Sequence, residues 1–209
     1  MATAGYLRSG EAIGLLLISH VLNELSAAAL DEVRALAARS RAMVWVEPGT
    51  RETGRALGAL RDEFSGAFRV VAPCTHANPC PALRPGNERH WCHHFASPPP
   101  FIFADSGWVK FGQRAGIDLR SLPYSFMAMD REWAGDPAGL SRIIGRPEHL
   151  KPGARFLNCS SAGLEVLSVA KRSNPALCKE LERTRRPLVY SWTRDGASVA
   201  AGTRLEPGT

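Results

Sequence analysis

The sequence predicts an α/β protein in which an open, doubly wound sheet is followed by a small antiparallel β subdomain. Up to residue 72, apolar runs of strand length alternate with amphipathic stretches of helix length, the order typical of parallel strands joined by crossover helices. From about residue 140 the pattern changes to short β-rich pieces separated by turns. We therefore expect two domains, residues 1–130 and 140–209, with residues 132–139 as the linker.

The first domain is predicted from five segments. Residues 13–19 and 42–47 are continuous apolar runs that suit strands buried on both faces, and residues 68–72 predict a third strand. Residues 20–40 carry apolar side chains at helical spacing, and a second helix is predicted after Thr50, which can serve as its N-cap.

The remaining elements are weaker in pattern. We predict a short strand near Phe101, a helix at 108–115 and a strand at 124–129 that completes the sheet. The second domain is predicted to hold strands and one helix and to be barrel-like in form. Its strands are expected within residues 141–146, 154–159, 164–172 and 187–192, and its helix within 175–183.

The charge of the chain is uneven. Of its 209 residues, 1–66 contain seven Lys and Arg against eight Asp and Glu, 67–130 contain six against four, and 131–209 contain thirteen against eight. Positive charge in the last third favours a polyanionic partner, with nucleic acid first, although a basic surface without a partner is an alternative. The sequence has no apolar run of the roughly 20 residues that a membrane span needs and no signal-peptide pattern, so we expect no membrane contact and a cytoplasmic protein.

Residues 70–95 are the most unusual stretch of the chain, with three of its five cysteines and four of its six histidines. Cys74, Cys80 and Cys92 are separated by five and eleven residues, and four nearby prolines exclude a regular helix. Clustered thiols in a chain without a signal peptide are more often metal ligands than disulfides. Buried structural cysteines and a catalytic cysteine–histidine pair are the alternatives.

A tetrahedral site needs a fourth ligand from elsewhere in the chain. The candidates are Cys159, at the end of a predicted strand, and Cys178. Zinc sites usually pair ligands two to four residues apart, so the wider spacing here leaves room for an iron–sulfur cluster.

Polar residues follow the first two predicted strands, where ligands bind in a doubly wound sheet. Equally, these residues can cap the helices or form the turns that follow. The candidate contacts are Ser19, His20 and Asn23 with Glu24, and Glu47, Pro48 and Gly49 with Thr50.

The stretches VVAPCTHANPCPA, WCHHF, SHVLNEL and VWVEPGTRETGRAL, followed by a basic β segment containing FLNC, resemble one family over nearly the whole chain. It is the small-ribosomal-subunit methyltransferase-like family, of the methyltransferase-like protein seventeen type, with mitochondrial and bacterial members. The cysteine pattern is the most specific part of this resemblance.

The resemblance implies a class I S-adenosylmethionine-dependent methyltransferase fold, here its C-terminal part, and association with small-subunit ribosomal RNA during assembly, with no DNA partner. It implies a four-cysteine 4Fe-4S site, for which zinc is the alternative, held by Cys74, Cys80, Cys92 and Cys159 and not by Cys178. Ser19, His20 and Asn23 match the segment after the family's fourth strand, and Glu47, Pro48 and Gly49 match the one after the fifth. The implied location is the bacterial cytoplasm or, in a eukaryote, the mitochondrial matrix.

One departure from the family bears on activity. Its Gly-rich cofactor turn lies upstream of SHVLNEL, and no G-x-G occurs in this chain, so we expect an internal start or a natural truncation. Three hypotheses result: a ribosome-associated protein that does not methylate alone, an active RNA methyltransferase when the upstream segment is present, and a zinc-stabilised binding module. Catalytic residues stay unassigned, and we expect RNA contacts at Lys171, Arg172, Arg185 and Arg186.

Overall fold

The computed structural model describes residues 9–183 and 188–205. An α/β domain comes first, and a closed β-barrel follows it. The first domain contains a five-stranded sheet with strands β1 (Ile13–Ser19), β2 (Ser40–Pro48), β3 (Arg69–Ala72), β4 (His94–Phe95) and β5 (Pro123–Asp130). In the part of the chain that the structure describes, no helix is both long and apolar enough to cross a membrane.

The sheet is mixed, whereas the alternation of strands and helices predicts a parallel one. Strands β1 and β2 are parallel, with Leu16 opposite Met43. Strand β5 runs antiparallel to β2 on one edge and to β3 on the other, giving the order β1-β2-β5-β3. Strand β5 therefore runs opposite to its two neighbours, β2 and β3. The segment that precedes β5 brings the chain back to the free edge of β2.

Two helices follow the parallel strands, α1 (Ala27–Ala38) and α2 (Arg51–Phe64). The predicted capping of α2 is confirmed, since the Thr50 hydroxyl accepts from the amide of Thr53. The predicted start of α1 near residue 20 is wrong, because Ser26 caps it and residues 21–24 form turns. The suggestion that Asn23 or Glu24 caps this helix is wrong for the same reason.

The strand predicted near Phe101 is also wrong. The segment forms a helical hairpin of α3 (Phe101–Ala104) and α4 (Ser106–Ala115). Asp105 caps α4 by accepting from the amide of Gly107, and the prolines that precede α3 suit a helix start as well as a strand edge.

The second domain is a barrel, as expected, with α5 (Pro175–Arg183) packed on it. Its strand order is β10-β8-β7-β6-β9, and all pairings are antiparallel except the short parallel one between β8 and β10. Strand β10 was not predicted from the sequence. The strands are β6 (Ser141–Leu150), β7 (Gly153–Ser160), β8 (Gly163–Ala170), β9 (Val189–Asp195) and β10 (Ser198–Arg204).

Each domain has its own core. In the sheet domain Met43, Trp45 and Met127 pack under the apolar face of α2, while Phe156 and Tyr190 lie inside the barrel. The residues between these two cores, including the cysteine-rich stretch, form the contact between the domains.

Candidate four-cysteine centre

Residues 73–93, here called the cysteine loop, leave the sheet and return to it on the same edge. Strand β2 covers one edge of β5, so β3 and β4 must both lie along the other. They run in the same direction, β3 opposite the end of β5 and β4 opposite its start. The cysteine loop therefore connects two short strands that lie one after the other along the same edge of β5.

Four of the five cysteines line a single cavity of about 40 Å³ between the sheet domain and the barrel. Three come from the cysteine loop, namely Cys74, Cys80 and Cys92, and the fourth is Cys159 of β7. Cys178 lies elsewhere, in the barrel core, with its Sγ 3.6 Å from the Val169 carbonyl oxygen. The structure thus brings together the four cysteines that the family resemblance implies.

Helix α2 fixes the first half of the cysteine loop through two adjacent residues. Arg61 donates from Nη2 to the His76 carbonyl over 2.6 Å and from Nη1 to the Asn78 carbonyl over 2.7 Å. The carboxylate of Asp62 accepts from the backbone amide of Cys80 over 2.8 Å. These bonds satisfy backbone groups of a segment that cannot form regular secondary structure.

Two glycines let α2 approach the cysteine loop closely. A Cβ atom at Gly54 would lie 2.9 Å from Cδ1 of Trp91 and 2.9 Å from Oγ of Ser125, which is too close for a methyl group. One turn further, a Cβ atom at Gly58 would lie 3.4 Å from Sγ of Cys80. The missing side chains thus bring the helix within contact distance of the thiols.

The contacts between the barrel and the loop include three hydrogen bonds to backbone carbonyls. The amide of Gly145 donates to the His93 carbonyl over 2.9 Å, and Asn78 Nδ2 donates to the Ser161 carbonyl over 3.0 Å. Arg142 of β6 donates from Nε to the carbonyl of Pro73. Because Arg142 pairs with Cys159 across β6 and β7, this contact brings Cys159 to the cavity.

The surroundings of the four thiols disfavour their ionised form. Burial raises the pKa of Cys74, Cys80 and Cys92 above the usual range, and burial with the neighbouring thiols raises the pKa of Cys159 to about 12. A catalytic cysteine needs a lowered pKa, so this environment does not suit a nucleophile. It suits a centre at which a metal displaces the thiol protons.

Buried positive charge lies beside these thiols. Arg61 is 3% exposed and lines the cavity, and the guanidinium groups of Arg61 and Arg142 oppose the rise in pKa of Cys74. Both guanidinium groups favour negative charge on the nearby sulfurs, although Arg61 is also paired with Asp62 over 2.7 Å.

Several buried polar atoms near the loop have no partner. Among the described residues four buried side-chain atoms lack a hydrogen bond, and three of these are Arg61 Nε, Thr75 Oγ1 and His76 Nδ1. Each unpaired buried group costs about 1–3 kcal/mol, so their concentration beside the cavity is typical of a site that receives a further acceptor. The histidines are neighbours of the thiols: His94 Nε2 is 3.3 Å from Cys92 Sγ and His76 Nε2 is 3.7 Å from Cys159 Sγ.

The described side chains do not form a preformed site for a single ion. Within residues 9–183 and 188–205 no three His, Cys, Asp or Glu side chains are close enough to hold a single metal ion. Four thiolates around one zinc would have to lie about 3.8 Å apart, given a Zn–S distance of about 2.3 Å.

The residues predicted to contact a cofactor lie at the carboxyl ends of β1 and β2, but their environments differ. Ser19, His20 and Asn23 are exposed, and His20 has a φ of 55°. Glu47 is fully buried, and its Oε1 accepts from Trp45 Nε1 over 2.6 Å and from the amides of Val21 and Leu22.

Gly49 and its neighbour are enclosed as well. The amide of Gly49 donates to the Pro123 carbonyl, its carbonyl accepts from Trp91 Nε1, and Pro48 pairs with Tyr124. Glu47, Pro48 and Gly49 thus serve internal contacts here, and a role of the six residues in cofactor binding stays a prediction.

The predicted RNA contacts are only partly visible. Lys171 and Arg172 are exposed in the turn after β8, while Arg185 and Arg186 lie outside the described residues. Sequence reasoning missed Arg61, Asp62 and Arg142, which hold the cysteine loop. The available signal was the position of Arg61, which continues the buried stripe of Gly54 and Leu57 on α2.

The protein is thus an α/β protein with an appended β-barrel, and four cysteines line the cavity between its two domains. The chain matches the model of one family, the mitochondrial small ribosomal subunit Rsm22, over residues 4–174, and it belongs to that family. This confirms the family resemblance drawn from the sequence. The match includes all four cysteines of the centre and ends before Cys178. A search of the curated proteins gave no match.

Proposed function

We propose that this protein acts in assembly of the small ribosomal subunit, as an RNA-contacting protein whose two domains are joined by a four-thiolate iron–sulfur centre. The observation that carries the proposal is the convergence of Cys74, Cys80, Cys92 and Cys159 on one cavity between the domains. Membership of a family described as mitochondrial small ribosomal subunit supports the partner. The corresponding location is the mitochondrial matrix in a eukaryote and the cytoplasm in a bacterium.

The residues around the cavity can hold an iron–sulfur cluster. Four thiols line it, and the unpaired donors Arg61 Nε and Thr75 Oγ1 can face acceptors such as bridging sulfides. A bound cluster would supply four metal–sulfur bonds that exist only in the folded state, so its binding contributes folding free energy. Zinc is the alternative occupant.

A bound cluster would link the two domains through metal–sulfur bonds. Cys92 and Cys159 are separated by 66 residues in sequence, yet both would hold the same centre. The contacts from Arg142 and Gly145 place the barrel against the cysteine loop, and metal ligation would fix that placement. The barrel carries Lys171 and Arg172, so the centre would orient a basic surface relative to the sheet.

The ligand assignment is tested by purifying the protein without oxygen and measuring iron, acid-labile sulfide and zinc per chain. Cys159→Ser should lose most of the bound metal, whereas Cys178→Ser, the matched change of a cysteine in the barrel core, should retain it. If the wild-type protein contains neither iron, sulfide nor zinc in stoichiometric amount, the proposed centre is wrong. Stoichiometric zinc without sulfide would select the zinc alternative.

The partner is tested separately by sedimentation with purified small and large ribosomal subunits. We expect co-sedimentation with the small subunit alone, weakening as salt rises because phosphate contacts release counterions. Equal binding to both subunits would contradict the proposed partner even if the metal centre were present.

Methyl transfer is a second candidate, and we propose that the sheet is the C-terminal part of a class I methyltransferase sheet. Parallel strands β1 and β2, each followed by a helix, favour it, as does the positive φ of exposed His20 at the edge where ligands bind. This chain supplies Ser19, His20 and Asn23 on that edge. Calorimetric titration with S-adenosylmethionine tests it, and absence of binding heat would remove cofactor binding from this chain.

A further inference from the structure

The helical hairpin α3–α4 presents aromatic side chains to solvent. Phe101, Trp108 and Phe111 are exposed, Phe101 by 53% and Phe111 by 52%. Within residues 101–115 only Ile102 and Gly112 are buried. Large exposed apolar groups concentrated on one element are unusual on a protein surface and mark an interaction site.

The three rings form one continuous row. The ring centroid of Trp108 lies 5.7 Å from that of Phe101 and 6.1 Å from that of Phe111, in a tilted and an edge-to-face arrangement. Helix α4 is capped at both ends, by Asp105 and by Gly116 in the left-handed conformation at φ 67°. The row therefore stands on a short, well-terminated helix and does not depend on a loop for its geometry.

Two cations are exposed on the same helix. Lys110 and Arg114 are exposed on α4 at i, i+4 spacing, next to Phe111, and the structure shows no ion pair for either of them within the described residues. The two acidic residues of the hairpin region are engaged locally, Asp105 in the helix cap and Asp118 with Arg120. The exposed side of the hairpin thus combines a row of contacting aromatic rings with net positive charge.

This combination decides between two kinds of partner. Protein–protein interfaces are enriched in aromatic residues and arginine but depleted in lysine, whereas single-stranded nucleic acid is bound by aromatic rings that stack on bases beside cations of either kind that contact phosphates. We propose that the α3–α4 hairpin is a stacking surface for an unpaired RNA segment. The inference rests on the proposed RNA-contacting function and adds a site distinct from Lys171 and Arg172 on the barrel.

The test measures binding of the full chain to a fluorescein-labelled oligouridine of about 20 nucleotides by fluorescence anisotropy, with a duplex RNA of equal length for comparison. Phe111→Ala should weaken binding to the single strand by about fivefold or more and leave the salt slope unchanged, because stacking releases no counterions. Lys110→Gln combined with Arg114→Gln should instead reduce the slope by about 1.4. Val166→Ala, which shortens an exposed side chain on β8, should change neither.

The outcomes separate this inference from the function on which it rests. If the wild-type chain binds no RNA, both fail. If it binds but Phe111→Ala and the Val166→Ala control have equal affinity, the hairpin inference alone is wrong. Retained RNA affinity of Phe111→Ala together with lost co-sedimentation with the small subunit would assign the hairpin to a protein partner and overturn the inference. Because Phe111 is half exposed, an unchanged thermal transition is expected and verifies that the variant is folded.

Discussion

Arg61 donates from Nη2 to the carbonyl oxygen of His76 over 2.6 Å, which joins a fully enclosed guanidinium on α2 to the backbone of the cysteine loop. The same side chain lines the cavity that Cys74 and Cys80 share. One residue thus orders the loop and places positive charge beside its sulfurs.

Replacing Arg61 should separate these two contributions. Arg61→Met removes the buried hydrogen bonds and leaves carbonyls unpaired, so we expect a loss of about 3–5 kcal/mol in unfolding free energy and a lower metal content. Arg61→Lys keeps the charge without the planar fork and should recover part of the metal but less of the stability. Denaturant unfolding and metal analysis measure the two effects, with Arg69→Met at an exposed position of β3 as control. Full metal content and stability in Arg61→Met would contradict the assignment.

The two glycines of α2 should respond in opposite directions to alanine. Gly54→Ala places a methyl group 2.9 Å from Trp91 and Ser125, so we expect destabilisation of about 1–3 kcal/mol from overpacking. Gly58→Ala meets Cys80 Sγ at 3.4 Å, and the gain in helix propensity of up to about 1 kcal/mol should leave stability equal or higher. Urea unfolding of both variants decides this. A Gly54→Ala protein as stable as Gly58→Ala would show that α2 is not held tightly against the loop.

Glu47 is expected to be a structural residue. Glu47→Ala leaves Trp45 Nε1 and the amides of Val21 and Leu22 without an acceptor, so we expect a loss of about 3 kcal/mol or more. Glu47→Gln keeps one acceptor oxygen in place and should lose less. The unfolding free energies of the two variants test this. If Glu47→Ala is stable but binds S-adenosylmethionine less well than the wild type, the carboxylate serves the cofactor instead.

Acidification should reveal the buried imidazole of His94 in the metal-free protein. Burial, assisted by Arg142 and His93, lowers the pKa of His94 to about 3, while the unfolded chain takes up this proton near pH 6.5. The folded state therefore binds fewer protons, so the stability is present above pH 6.5 and is lost progressively as the pH falls towards 3. Between pH 7 and 5 the loss from this group is about 2 kcal/mol.

His94→Gln should remove that part of the pH dependence, measured as the difference in unfolding free energy between pH 7 and 5. His149→Gln, at an exposed position of β6, should keep the wild-type dependence. Parallel stability curves for His94→Gln and the wild type would show that His94 is not held neutral.

The sequence was most informative where a local pattern decides structure. The cap at Thr50 and the helix at 175–183 follow from side chains next to one another in the chain, and both match the structure. The direction of β5 and the existence of β10 depend on distant partners, and β10 buries little beyond Val199, so its alternation is faint. The Phe101 segment forms a short helix after Pro99 and Pro100 despite the β-prone composition of its aromatic residues, and Asp105 caps only the helix that follows.

Only the local part of the candidate centre could be predicted from the sequence. Cys74, Cys80 and Cys92 stand out by density and by the prolines between them. The position of Cys159 depends on how β6 and β7 close against the loop, which no spacing encodes, and only the family resemblance indicated it. Arg142 gave no local signal at all, because its role depends on the carbonyl of Pro73 in the other domain.

Strands β3 and β4, which flank the cysteine loop on one edge of β5, indicate how the protein could be shortened. Ala72 lies opposite Ala128 and His94 opposite Tyr124, four residues apart on β5, so the loop ends are about 13 Å apart at 3.3 Å per residue. Residues 73–93 therefore connect two points that three residues of extended chain could connect. The other eighteen residues of the loop are not needed for the hydrogen bonds of the sheet. Removing them would leave a continuous edge strand, but the barrel would lose its contacts with the loop.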